Sequence, residues 1–115
     1  IEFLTFFTFK QDPDSALTKA YKGLEDIVRT RTGIHEHSTK LFAHIFQGEN
    51  AILTWDVPDS AEIKSRVKLF TGAYMTFGTL VHREKDENLI HQYREFLLIN
   101  ELYLLEAEAI KIESK

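Results

Sequence analysis

The chain has no cysteine, a single methionine, a single tryptophan and only two prolines in 115 residues. Without cysteine there is no disulfide framework, no thiolate zinc site and no cysteine nucleophile. No apolar run approaches the ~20 residues that a bilayer span needs, so a membrane partner is not expected. A basic block is missing too. Lys64, Arg66 and Lys68 are interleaved with Asp59 and Glu62, and the formal net charge is −4. Nucleic-acid surfaces that work by phosphate neutralisation show a basic face, and this class is set aside. Ile1–Phe9 is apolar but contains Glu2, and it has neither the basic start nor the small-residue cleavage pattern of a signal peptide. Cytoplasmic residence is the expectation that follows.

What is present is a globular composition, 43% hydrophobic and 28% charged. The length suits one domain over 1–115, large enough to bury a core. Its sheet core is expected over 1–82 and a C-terminal helix over 87–111.

Ile1–Lys10, rich in Phe and Thr, reads as a strand with both faces apolar. Asp12 as N-cap, Pro13 at the first helical position and Asp14 in the first turn predict a helix. Leu17, Ala20, Tyr21, Leu24, Ile27 and Val28 form its stripe, and Gly33 ends it. Leu41–Trp55 then reads as a β-hairpin. Leu41, Ala43 and Ile45 alternate with Phe42, His44 and Phe46, and Gly48-Glu49-Asn50 supplies the turn. Pro58-Asp59-Ser60 opens a second helix with Ile63, Val67 and Phe70 on its stripe and Gly72 at its end. Ala73–His82 reads as a fourth strand, a helical continuation through Met75 and Phe77 being the alternative. Arg83–Glu87 is a charged turn. The C-terminal helix is apolar nearly all round from Phe96 to Leu105, and such a helix wants partners on two sides. The tail Glu106–Lys115 alternates acids with apolar residues, a pattern open to fraying or to an extended strand.

The expected fold is therefore α+β, a ferredoxin-like βαββαβ antiparallel sheet with an additional long C-terminal helix. Its second face, with Phe6, Phe42, Phe46 and Ile52, would need cover from that helix, from a second subunit, or from both. The interface residues expected on the helix are Phe96, Leu97, Ile99, Leu102 and Tyr103.

Two resemblances bear on function. Leu17–Gly33, the hairpin His44–Trp55 with its Gly48-Glu49 turn, and Asp59–Phe70 are together similar to the core of the class III nucleotidyl cyclases. That family holds two metal ions with two aspartates. Here Phe9 or Lys10 and Glu49 stand at those places, so the resemblance implies at most a degenerate cyclase-like domain. The layout, with Trp55-Asp56 just before the second helix, also resembles ferredoxin-like proteins of the dimeric α/β-barrel type. That resemblance implies a cavity for haem or an aromatic substrate, lined by Phe42, Phe46 and Trp55, with His44 as axial ligand or proton shuttle. The plainer reading of His44 is a half-buried strand histidine bonded to a neighbour.

His35-Glu36-His37 is the densest set of metal-ligand residue types. In an extended conformation His35 and His37 point the same way, about 7 Å apart at ~3.3 Å per residue. They could hold zinc or nickel with His82 or His91 as a third ligand. Glu49 is a separate oxygen donor, and a solvated loop after a helix cap explains the histidines equally well. No complete catalytic set is present, and no cofactor is called for. The leading expectation is a non-catalytic regulatory or protein-interaction domain that homodimerises or docks on a protein partner through its sheet face and C-terminal helix. The alternatives are a dimeric-barrel enzyme or ligand binder using His44, and a degenerate cyclase-like domain.

Overall fold

Asp12 and Pro13 start the first long helix as the sequence predicts. In the structure, a computed structural model that describes residues 6–78, 84 and 88–113, this is α2 (Pro13–Thr32), preceded by the short α1 (Phe6–Gln11). Asp12 accepts a hydrogen bond from Ser15 N, and Gly33 closes the helix at φ +75° by donating 2.8 Å to Arg29 O. The chain continues through α3 (Ser38–Phe46), β1 (Leu53–Thr54), α4 (Ser60–Phe77), α5 (Leu89–Glu108) and β2 (Ile110–Lys111). Asp59 caps α4 by accepting from Ala61 N at 2.9 Å, and Asn88 caps α5 by accepting from Ile90 N at 2.9 Å.

The ferredoxin-like α+β sheet is not formed among the described residues. Among the described residues the only sheet is the antiparallel pair β1–β2, with Leu53 opposite Lys111 and Thr54 opposite Ile110. Ile112 N extends it by donating 2.9 Å to Ile52 O, so part of the alternating tail is strand. The expected strand over Ile1–Lys10 is helical from Phe6, its first five residues lying outside the described part. The expected first hairpin strand is α3. The expected fourth strand is the end of α4 as far as Phe77, and its residues 79–82 lie outside the described part, as does most of the charged turn 83–87.

The physical reason is the same in α3 and at the end of α4. Leu41-Phe42 and Ile45-Phe46 alternate acceptably for a strand, yet they also form two overlapping i, i+4 pairs. On a helix all four share one face, and all four are buried. Phe70 and Tyr74 of α4 decide the matter, because they pack on Phe42 at ring separations of 5.2 and 4.3 Å. In α4 the stripe Val67, Phe70, Ala73, Tyr74 runs straight past Gly72, which faces open space on the outer side. A glycine there weakens the helix by about 1 kcal/mol without ending it. The Gly48 turn is real, with Gly48 at φ +78° and Ile52 N donating 2.7 Å to Ile45 O. It reverses the chain from a helix into β1 rather than joining two strands.

The core is a file of aromatic rings. Trp55, Phe46, Phe70, Phe42, Tyr74, Tyr21 and Phe77 follow one another at centroid separations of 4.3–5.2 Å. Such pairs add roughly 0.5–1.5 kcal/mol each beyond the area they bury. Two tyrosine hydroxyls fix the helices against α2. Tyr74 Oη donates 2.8 Å to Tyr21 O, and Tyr103 Oη donates 2.7 Å to Ala20 O. α4 and α5 are thus tied to adjacent carbonyls of one helical turn. Gly23 permits the second tie, since a Cβ there would lie 2.9 Å from Tyr103 Oη.

Candidate functional site

The residues expected to line a haem or aromatic cavity do not converge on one. Phe42, Phe46 and Trp55 are buried in the ring file, packed on each other and on Phe70. His44 is turned away from them. In a strand it would share a face with residues 42 and 46, but on a helix a two-residue step is ~200°. Its side chain is 41% exposed, and its Nδ1 is paired with Glu36 Oε1. Both the barrel-type and the cyclase-like alternatives also require a sheet that the described residues do not form.

Among the described residues no group of three or more His, Asp or Glu side chains could hold a metal ion. His35 and Glu49 are exposed, and Glu49 follows the Gly48 turn. His37 belongs to a different arrangement. Arg29 Nη1 donates to His37 Nδ1 at 3.0 Å, to Glu25 Oε2 at 3.0 Å and to Glu36 O at 3.2 Å, while Nη2 donates to Asp26. A guanidinium has no acceptor, so His37 presents its unprotonated Nδ1 to it. Asp26 first, and then Glu25, hold the Arg29 pKa further above its ordinary value. This cluster ties the α2–α3 loop to α2. His91 lies on α5, and His82 is outside the described residues.

The residues expected as an interface fall on both sides of α5. Ile99, Leu102 and Tyr103 are buried against the core, and the ring of Phe96 packs on Phe9 at 5.5 Å. Only Leu97 faces outward. The rotation of α5 is set at several points along its length. Tyr103 is held by Ala20 O, and Trp55 Nε1 donates 2.7 Å to Leu105 O in the core. Arg31 donates to Glu106 O at 2.8 Å, to the buried Glu106 Oε1 at 2.9 Å and to Ala109 O. A guanidinium at that place also suits the negative end of the helix dipole.

With α5 so fixed, Ile90, Leu97 and Leu104 stand on its outer side, 69%, 62% and 39% exposed. Their seven-residue spacing makes one straight stripe of about 21 Å along the helix. Arg94 and Glu101 flank the stripe and are exposed, and neither has an ion pair among the described residues. Beside it, between α4 and α5, lies an open groove of about 570 Å³, with Glu62, Arg66 and Lys68 on one wall and Glu101 on the other. Arg66 is already engaged there, with Glu62 at 2.9 Å and over the Trp55 ring at 5.6 Å.

Ile90, Leu104, Arg94 and Glu101 were not singled out from sequence. The heptad step 90–97–104 was the available signal, but the surrounding apolar residues mask it. No family model, no curated protein and no solved structure matches the chain. No helix among the described residues is long and apolar enough to cross a membrane.

Proposed function

We propose that the chain is a non-catalytic protein-interaction domain whose docking surface is the outer side of α5. The observation that carries this reading is the run of three large aliphatic side chains, Ile90, Leu97 and Leu104, left in water on a helix whose other side is buried. Single exposed apolar residues are ordinary on a protein surface, whereas an aligned stripe is the form that helix-reading partners recognise. The second support is rigidity. Tyr103, Trp55 and Arg31 hold α5 in one rotation, so the stripe is presented without an ordering cost on binding. The expected sheet-face surface is replaced by this helix face.

Site-specific photocrosslinking tests the reading. A photoreactive side chain at position 97, in cells that make the protein, is expected to give a discrete adduct. The same group at Lys19, an exposed position on α2, is the control. Loss of the adduct on Ile90→Lys would support the stripe as the contact. No adduct from position 97 beyond that from position 19 would overturn the reading.

A further inference from the structure

We infer that the partner of the α5 stripe is a second copy of this chain, paired antiparallel about a two-fold axis that passes beside Leu97. This rests on the reading of α5 as a docking face and names its occupant. The argument is charge complementarity. On a helix, Arg94 and Glu101 lie three residues before and four residues after Leu97, and both fall on the same flank of the stripe. A two-fold axis perpendicular to an antiparallel helix pair keeps each flank on its own side and reverses the direction along the helix. Arg94 of one copy then meets Glu101 of the other, and the symmetry repeats the contact.

The aliphatic residues obey the same operation. Leu97 meets its own copy at the axis. Ile90 and Leu104 are each seven residues from it, about 10.5 Å, so Ile90 of one copy faces Leu104 of the other. Apolar residues therefore meet apolar ones, and Arg94 and Glu101 each meet an opposite charge. A parallel pair fails this test. It brings residues of equal number to the same height and leaves Arg94 and the partner's Glu101 about 10.5 Å apart along the axis.

The test is sedimentation velocity of the full chain from micromolar to near-millimolar concentration. The mass is expected to rise with concentration toward twice that of one chain. Leu97→Lys should weaken association by about a hundredfold, because both side chains at the axis lose burial and two ammonium groups meet there. Arg94→Glu should weaken it by about tenfold, since it sets a carboxylate against Glu101 of the other copy, twice. The double exchange Arg94→Glu with Glu101→Arg should restore association to within about threefold of the original. Far-UV circular dichroism must match the parent for each variant, and Leu97→Gln serves if Leu97→Lys does not fold.

A single-chain mass across the whole range overturns the self-pairing, and so does a dimer that the double exchange fails to restore. If the chain stays single while position 97 crosslinks to a protein of different mass, self-pairing falls and the interaction reading stands. If position 97 gives no adduct and the chain is single, both fall.

Discussion

Replacing Gly23 with alanine tests how α5 is held on α2, and therefore what fixes the outward stripe. In an unhindered helix the change stabilises by about 0.8–1.0 kcal/mol. Here the new Cβ would lie 2.9 Å from Tyr103 Oη, and that hydroxyl donates 2.7 Å to Ala20 O. The hydroxyl must give way and lose a bond worth about 0.5–1.5 kcal/mol. Shifting a buried ring adds a packing loss on the order of 1 kcal/mol. The terms oppose, and Gly23→Ala is expected to destabilise by about 0.5–1.5 kcal/mol. Tyr103→Phe deletes the obstructing atom at a cost of about 1 kcal/mol. On that background Gly23→Ala should recover its helix gain of about 1 kcal/mol. The double-mutant cycle then closes with a coupling of roughly 1.5–2.5 kcal/mol. Urea unfolding measures it, followed by the fluorescence of Trp55, which is buried and the only tryptophan in the chain. If Gly23→Ala stabilises equally with and without the Tyr103 hydroxyl, the close approach is refuted.

Tyr74 gives a pH test. Burial, with the nearby Glu25 carboxylate adding to it, pushes the Tyr74 phenol far above its ordinary pKa. The fold therefore holds the neutral form, and the contribution is whole below pH ~10, where the unfolded phenol is also neutral. It is lost as the pH rises beyond that, by about 1.4 kcal/mol per unit, because only the unfolded chain ionises. Tyr74→Phe should remove this share of the alkaline slope in urea midpoints, and an unchanged slope would show that Tyr74 is not the group responsible. Arg31→Ala should cost about 2–3 kcal/mol in thermal or urea unfolding, since it strands the buried Glu106 and two helix-end carbonyls. Adding Glu106→Gln should recover roughly 1 kcal/mol of that by removing the unpaired charge. A cost for Arg31→Ala below about 0.5 kcal/mol would place the clamp among ordinary surface pairs.

The parts of the fold legible in the sequence are those governed by near neighbours. Asp12-Pro13 and Gly33 bound a helix whose stripe Leu17, Tyr21, Leu24 and Val28 is buried, although Ile27, expected on that stripe, faces out. Asp59 opens α4, and the long C-terminal helix begins at Leu89, two residues inside its expected start. What misled was apolar density. Leu41–Phe46 and Ala73–Phe77 carry too few polar residues to separate a two-residue period from a helical one. Reading the first as a strand placed His44 beside Phe42 and Phe46, and the supposed ligand site came from that single choice of period.

By itself, then, the sequence determined the helix starts at Asp12 and Asp59, the helix end at Gly33, the left-handed turn at Gly48 and the exclusion of cysteine chemistry, all of which depend on one residue or a few adjacent ones. The tertiary structure decided which side of α5 is inside. A helix apolar nearly all round has no preferred rotation of its own, because burying either side gains similar area. Tyr103 reaching Ala20 O, Trp55 reaching Leu105 O and Arg31 clasping Glu106 select one rotation. Each of those contacts joins residues at least fifty apart in the chain. They put Ile99 and Leu102 in the core and leave Ile90, Leu97 and Leu104 exposed.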